Sequence, residues 1–185
     1  PEILEDIQRR YVDAGSRVIY ANTFGANSHK LRGTGHSVKD VLTANIAAAK
    51  RAADGRARVA LDVGPVGELM EPLGTLSFEE AYDIFAEMAT VGAEAGADLI
   101  VFETMTDLYE VKAAVLAARE NTDLSVWVTM SFEASGRTFT GTTAAAMAVT
   151  LDGLGVDAMG VNCSLGPAEI YPLIQEIRQW TDKPL

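Results

Sequence analysis

Few residues of this chain have types and settings that could do chemistry. Cys163 is the only cysteine, and it stands in Gly160-Val161-Asn162-Cys163-Ser164-Leu165-Gly166-Pro167, between an apolar run and a helix start. A helix N-terminus favours thiolate, the form that ligates soft metals or attacks electrophiles. A lone cysteine can equally be a small buried hydrophobe. A cysteine nucleophile needs a histidine base, and the only histidines, His29 and His36, share one polar loop without a ligand spacing. Glu103 directly follows Leu99-Ile100-Val101-Phe102. A carboxylate at the end of a core strand calls for a cationic partner, which a substrate ammonium or a structural ion pair would supply.

Alternating strands and helices must position these groups. Helices are expected over Glu2–Ala14, Val38–Ala53, Ser77–Ala95, Asp107–Glu120 and Thr142–Leu154, and one more begins at Gly166-Pro167, with proline at N1. Ser77 with Glu80 has the spacing of a capping box, and Asp107 with Glu110 repeats it. Strands are expected near Arg17–Ala21, Arg58–Val63, Asp98–Phe102, Leu124–Met130 and Val156–Val161. Lys183-Pro184-Leu185 reads as the entrance to another. The long loops Asn22–Ser37 and Gly64–Leu76 are of a length that is usually functional.

A weak repeat ties the candidates together. Gly15, Gly96 and Gly155 each end a helix, and seven positions later stand Asn22, Glu103 and Asn162. Strand–helix alternation means βαβ units and a parallel sheet. A part of a (β/α)8 barrel and an open doubly wound sheet both fit, although neither a Gly-x-Gly-x-x-Gly turn nor a phosphate loop follows any strand. In both architectures the active site lies at the C-terminal strand ends. That nominates Asn22, Thr23, Asp62, Glu103, Met130, Ser131, Asn162 and Cys163, with Asp62 and Asn22 also readable as simple loop caps.

The 185 residues suit one domain, and the net charge of −11 leaves no footprint for nucleic acid or anionic membrane. A single cysteine fits a reducing, cytoplasmic compartment, and no apolar run could span a bilayer.

Asn22-Thr23-Phe24-Gly25-Ala26-Asn27, Gly64-Pro65 with Pro72-Leu73-Gly74, Phe102-Glu103-Thr104 and the Gly-Val-Asn-Cys segment resemble, together and in order, the homocysteine S-methyltransferase family. The likeness runs along essentially the whole chain, and is strongest to the N-terminal homocysteine-binding barrel of its cobalamin-dependent methionine-forming members. It implies an α/β fold, an incomplete (β/α)8 TIM barrel with about strands 2 to 6 present. Residues 1–185 would then be one partial homocysteine-binding domain, truncated at both ends. It implies that Cys163 is one of three thiolates on a catalytic zinc, the other two lying in a Cys-Cys pair beyond this sequence. Glu103 would hold the amino group of homocysteine, with a first-strand aspartate before Pro1 as its partner. Thr23, Phe24 and Asn162 would line the substrate pocket. The implied reaction is methyl transfer to a zinc-activated homocysteine thiol to give methionine. Methylcobalamin on a separate module is the expected donor, with cobalamin and folate modules as partners in a larger enzyme. The 185 residues alone are expected to be inactive and metal-poor. A betaine- or S-methylmethionine-dependent methyltransferase and a non-catalytic barrel fragment are the alternatives.

Overall fold

The computed structural model describes residues 2–185 and contains six helices and five strands among them. In chain order these are α1 (Glu2–Asp13), β1 (Val18–Tyr20), α2 (Val38–Ala53), β2 (Arg58–Val63), α3 (Phe78–Glu94), β3 (Leu99–Met105), α4 (Leu108–Asn121), β4 (Ser125–Met130), α5 (Ala144–Gly153), β5 (Ala158–Val161) and α6 (Pro167–Arg178). All neighbouring strands are parallel, and their order in the sheet is β1-β2-β3-β4-β5. That order settles the choice of architecture. A doubly wound sheet reverses direction at a switch point, whereas a barrel adds each strand beside the last. The chain is five successive βα units of an α/β barrel.

Strand alternation divides the sheet into two faces. Ile19, Val59, Leu61, Ile100, Phe102, Val126 and Val128 pack outward against the helices in the main core. Ala60, Leu99 and Val101 form a small separate cluster on the inner face, bordered by Val18 and Trp127. At the N-terminal end of that face the Arg58 guanidinium lies 5.4 Å from the Trp127 ring. At the C-terminal end the same alternation delivers polar groups: Asp62 two residues after Ala60, and Glu103 two after Val101.

Local signals fix several helix starts. Ser77 and Glu80 form the expected capping box, each side chain bonded to the other's backbone N–H. Asp107 caps α4 through Tyr109 N–H, but Glu110 does not complete a second box. Its side chain turns into the protein instead, because a buried backbone donor 44 residues away, Val66 N–H, needs an acceptor. β3 runs three residues further than the apolar pattern indicates, through Glu103 and Thr104 to Met105, with an irregular register between Phe102 and Met105. At the far edge Met159 N–H donates to Pro184 O, a single ladder bond where a further strand was expected to start. No helix among the described residues is long and apolar enough to cross a membrane.

Candidate functional site

The site is built from strand ends on the inner face. After β5 the chain makes a tight turn in which Cys163 (φ 58°) and Ser164 (φ 56°) both adopt left-handed backbone, and Thr104 at the end of β3 does the same (φ 60°). Only one other non-glycine residue among the described ones has positive φ, Asp54 at the end of α2. Left-handed backbone costs energy for ordinary side chains and persists where surrounding contacts hold it, commonly at functional positions.

The contacts that hold it centre on Asn162. Its Oδ1 accepts from Thr104 N–H at 3.1 Å, and its Nδ2 donates to Thr104 Oγ1 at 2.8 Å and to Cys163 Sγ at 3.5 Å. Thr104 Oγ1 lies 3.7 Å from the same sulfur. Ser131, at the end of β4, donates its hydroxyl to Asn162 O at 2.9 Å. One amide thus ties β3 to β5 across β4, and fixes the thiol relative to Glu103, the neighbour of Thr104. The Cys163 side chain is free and exposed. Its sulfur has an amide and a hydroxyl as neighbours, not a histidine: His29 instead approaches Glu68 at 3.6 Å. A cysteine–histidine nucleophile therefore has no support in this arrangement.

The second half of the site is a carboxyl pair. Asp62 is only 7% exposed, and burial together with the adjacent Glu103 pushes its carboxyl up to about 8. Glu103 is also raised by burial, partly offset by its hydrogen bond with Asp62. Two neighbouring carboxyls buried in this way resist ionising together. Asp62 Oδ1 is otherwise buried without a hydrogen-bond partner. Tyr20 on β1 faces the pair, and its phenol is raised by burial and by both acids.

Thr23 and Phe24 shape the wall beside this pair. The Thr23 hydroxyl is buried, donates to Asp62 O at 2.8 Å and accepts from Asp62 N–H at 3.1 Å. Its one proton is thus used on the backbone, and Thr23 meets the site through Asp62. The Phe24 ring lies flush against Gly64: a Cβ at that position would stand 2.4 Å from the ring and displace it. Lys30 Nζ sits 5.5 Å from the same ring and donates to Pro65 O at 2.7 Å.

Sequence reasoning nominated Cys163, Asn162, Glu103, Thr23 and Phe24, and the structure gathers all five at the C-terminal strand ends. Asp62 was also readable as a loop cap, yet it caps nothing and faces Glu103. Thr104 and Tyr20 were not singled out. Asp62 follows Ala60, and Glu103 follows Val101, by the same two-residue step, but only the strand register shows that both steps fall on the inner face. Among the described residues no three His, Cys, Asp or Glu side chains converge as a metal site.

The family model described as homocysteine S-methyltransferase matches residues 1–185. The chain belongs to the homocysteine S-methyltransferase family. The methionine synthases of Mycobacterium leprae (strain TN) and Mycobacterium tuberculosis (strain ATCC 25618 / H37Rv) are 32% and 33% identical to it across its whole length. The chain spans 16% of the length of each. The apo and metallated forms of the homocysteine methyltransferase MmuM from Escherichia coli superpose with TM-scores of 0.82 and 0.87 at 20% and 19% identity. Those alignments cover 98% of this chain and 68% and 69% of the MmuM chains, a likeness of fold. A dihydrodipicolinate synthase (DHDPS) from Cyanidioschyzon merolae shares the barrel more distantly, with a TM-score of 0.59.

Proposed function

We propose that this family member forms the homocysteine-binding part of a zinc-dependent methyltransferase of the methionine synthase type, with Cys163 as a zinc ligand and Glu103 as the ammonium acceptor. The observation that carries the reading is the linkage Cys163–Asn162–Thr104–Glu103. It holds one exposed sulfur and one carboxyl in fixed relation, as a substrate bearing both a thiol and an ammonium requires. The donor set fits zinc in kind: a soft sulfur with hydrogen-bond donors at its side, needing further thiolates to complete a tight site. When bound, zinc would supply the Lewis acidity that keeps a thiol deprotonated at pH 7, where a free thiol titrating near ~8.5 is mostly protonated.

The residues of this chain do the rest. Asn162 orients the Cys163 sulfur through Nδ2 and locks the strained turn through Thr104. Glu103 pairs with the amino-acid ammonium. Thr23 holds the Asp62 backbone, and the Phe24 ring forms a wall beside it. Methylcobalamin, presented by a separate cobalamin module alongside a folate module, is the donor we assign. The 32% and 33% identity to methionine synthases supports methionine as the product. Work in the reducing cytoplasm would keep the single thiol available.

The test is metal analysis and methyl-transfer assay of the intact protein, with methylcobalamin, betaine and S-methylmethionine offered in turn. Stoichiometric zinc and methionine formation from methylcobalamin are expected, both lost in Cys163→Ala. A Cys163→Ala protein retaining full zinc and activity overturns the assignment.

A further inference from the structure

Thr23 is fixed by two hydrogen bonds to the Asp62 backbone, whereas its neighbour Phe24 has no polar group by which its ring could be held. The Phe24 main chain is tied, since Gly64 N–H donates to Phe24 O at 3.0 Å. The ring itself is partly exposed and rests on Gly64. Lys30, six residues on, supplies what the ring lacks. Its stem crosses the loop after β2 at Gly67, where φ is 104° and a Cβ would stand 2.8 Å from Lys30 Cε. Its ammonium then donates to Pro65 O at 2.7 Å and lies 5.5 Å from the centre of the Phe24 ring. Lysine ammonium groups ordinarily stay in water, so one spent on a backbone carbonyl beside an aromatic ring needs a reason. Holding the loop is not that reason, because Asn27 already does so. Fully buried, Asn27 donates its Nδ2 to Val66 O at 3.3 Å and accepts Lys30 N–H on Oδ1 at 2.8 Å. Backbone and ring are thus fastened separately, and the Lys30 side chain serves the ring.

We propose that Lys30 is a positioning residue for substrate binding: its ammonium, anchored on Pro65 O, keeps the Phe24 ring against Gly64 as a fixed wall of the homocysteine pocket. This rests on the role given to Phe24 above. A ring already in place loses no rotamer freedom when the ligand enters, so the latch raises affinity without touching the ligand. The attraction between a partly solvated ammonium and a phenyl ring is modest, which sets the size of the effect. Loss of the charge is expected to weaken L-homocysteine binding about threefold to tenfold.

The test is a double-mutant cycle on the intact protein, with L-homocysteine affinity measured by calorimetry for Lys30→Met, Phe24→Ala and the double variant. Lys30→Met keeps the apolar stem and removes the ammonium; Lys30→Gln replaces it should that variant fail to fold. Each single variant is expected to bind more weakly, with the urea midpoint and zinc content unmoved. Adding Lys30→Met to Phe24→Ala should change affinity by less than about 1.5-fold, because no ring is left to position. Lys30→Arg, whose guanidinium also stacks on aromatic rings, should restore binding to within about twofold. Three results overturn the proposal: unchanged affinity in Lys30→Met, the full loss persisting without Phe24, or no rescue by arginine. Persistence of the loss would mean that Lys30 acts on the ligand directly or on the fold. Unchanged affinity in Phe24→Ala would remove the wall itself and the latch with it, and failure of the unmodified protein to bind L-homocysteine would sink the proposed function.

Discussion

Asp62 and Glu110 are two buried carboxyls with opposite fates. Asp62 is 7% exposed and Glu110 3%; burial pushes the first up to about 8 and the second to about 7. By burial and titration alone they look alike. Their hydrogen bonds separate them. Glu110 accepts from Val66 N–H at 2.7 Å, which pins the loop after β2 to α4, and Lys30 offsets part of the cost of its charge. Asp62 has a second acid beside it and an oxygen without a donor. A perturbed acid with a backbone partner holds the fold together, whereas one set beside a second acid has no such structural task.

The difference between the two acids shows most strongly on removal of Glu110. Glu110→Ala leaves Val66 N–H buried and unpaired, and opens a void in the packing around α4. Urea unfolding is expected to show a loss of about 3 kcal/mol, with the methyl transfer proposed above little changed per folded molecule. A loss below about 1 kcal/mol would remove the distinction between the two acids. Glu103→Ala should do the reverse. L-Homocysteine binding is expected to weaken by roughly tenfold to a hundredfold while the unfolding midpoint barely moves. Unchanged affinity would put the ammonium elsewhere.

Changing pH probes both acids at once. Each holds its proton to a higher pH in the folded chain than an ordinary carboxyl does in the unfolded one. Between roughly pH 4 and the raised values, about 7 and about 8, the native state binds more protons, so stability falls as pH rises through that window. Glu110→Gln keeps an acceptor for Val66 N–H and removes the titration. It should be more stable than the parent at pH 8 by about 1–2 kcal/mol and show a shallower slope up to about pH 7. Asp62→Asn should flatten the remainder; a parent whose stability is flat over this range contradicts both assignments. The smallest effect is expected at Ser131→Ala, which removes one neutral bond to Asn162 O. A loss of about 1 kcal/mol, with faster alkylation of Cys163 by a thiol reagent, would show that the clamp restrains the turn.

Much of this was legible in the sequence. Apolar strands such as Leu99–Phe102 between glycine-ended helices announced the βα repeat, and Ser77 with Glu80 announced a helix start, because both signals act over a few residues. The capping pattern at Asp107 and Glu110 misled for the same reason. Its spacing is local, but the donor that captured Glu110 lies 44 residues away and competes successfully only in the folded chain. Asp62 was ambiguous because both faces of a parallel strand are buried, so the run Val59–Val63 gives no sign of which side chains point inward.

The sequence by itself determined the parallel α/β class, the family, and the grouping of Glu103, Asn162 and Cys163 at strand ends, since periodicity, turn chemistry and motif order are properties of neighbours along the chain. The tertiary structure decided the rest: sequential strand order and hence a barrel, Asn162 reaching Thr104 across a strand, and Asp62 meeting Glu103. Each of those depends on strand register, which is set by packing between residues distant in sequence.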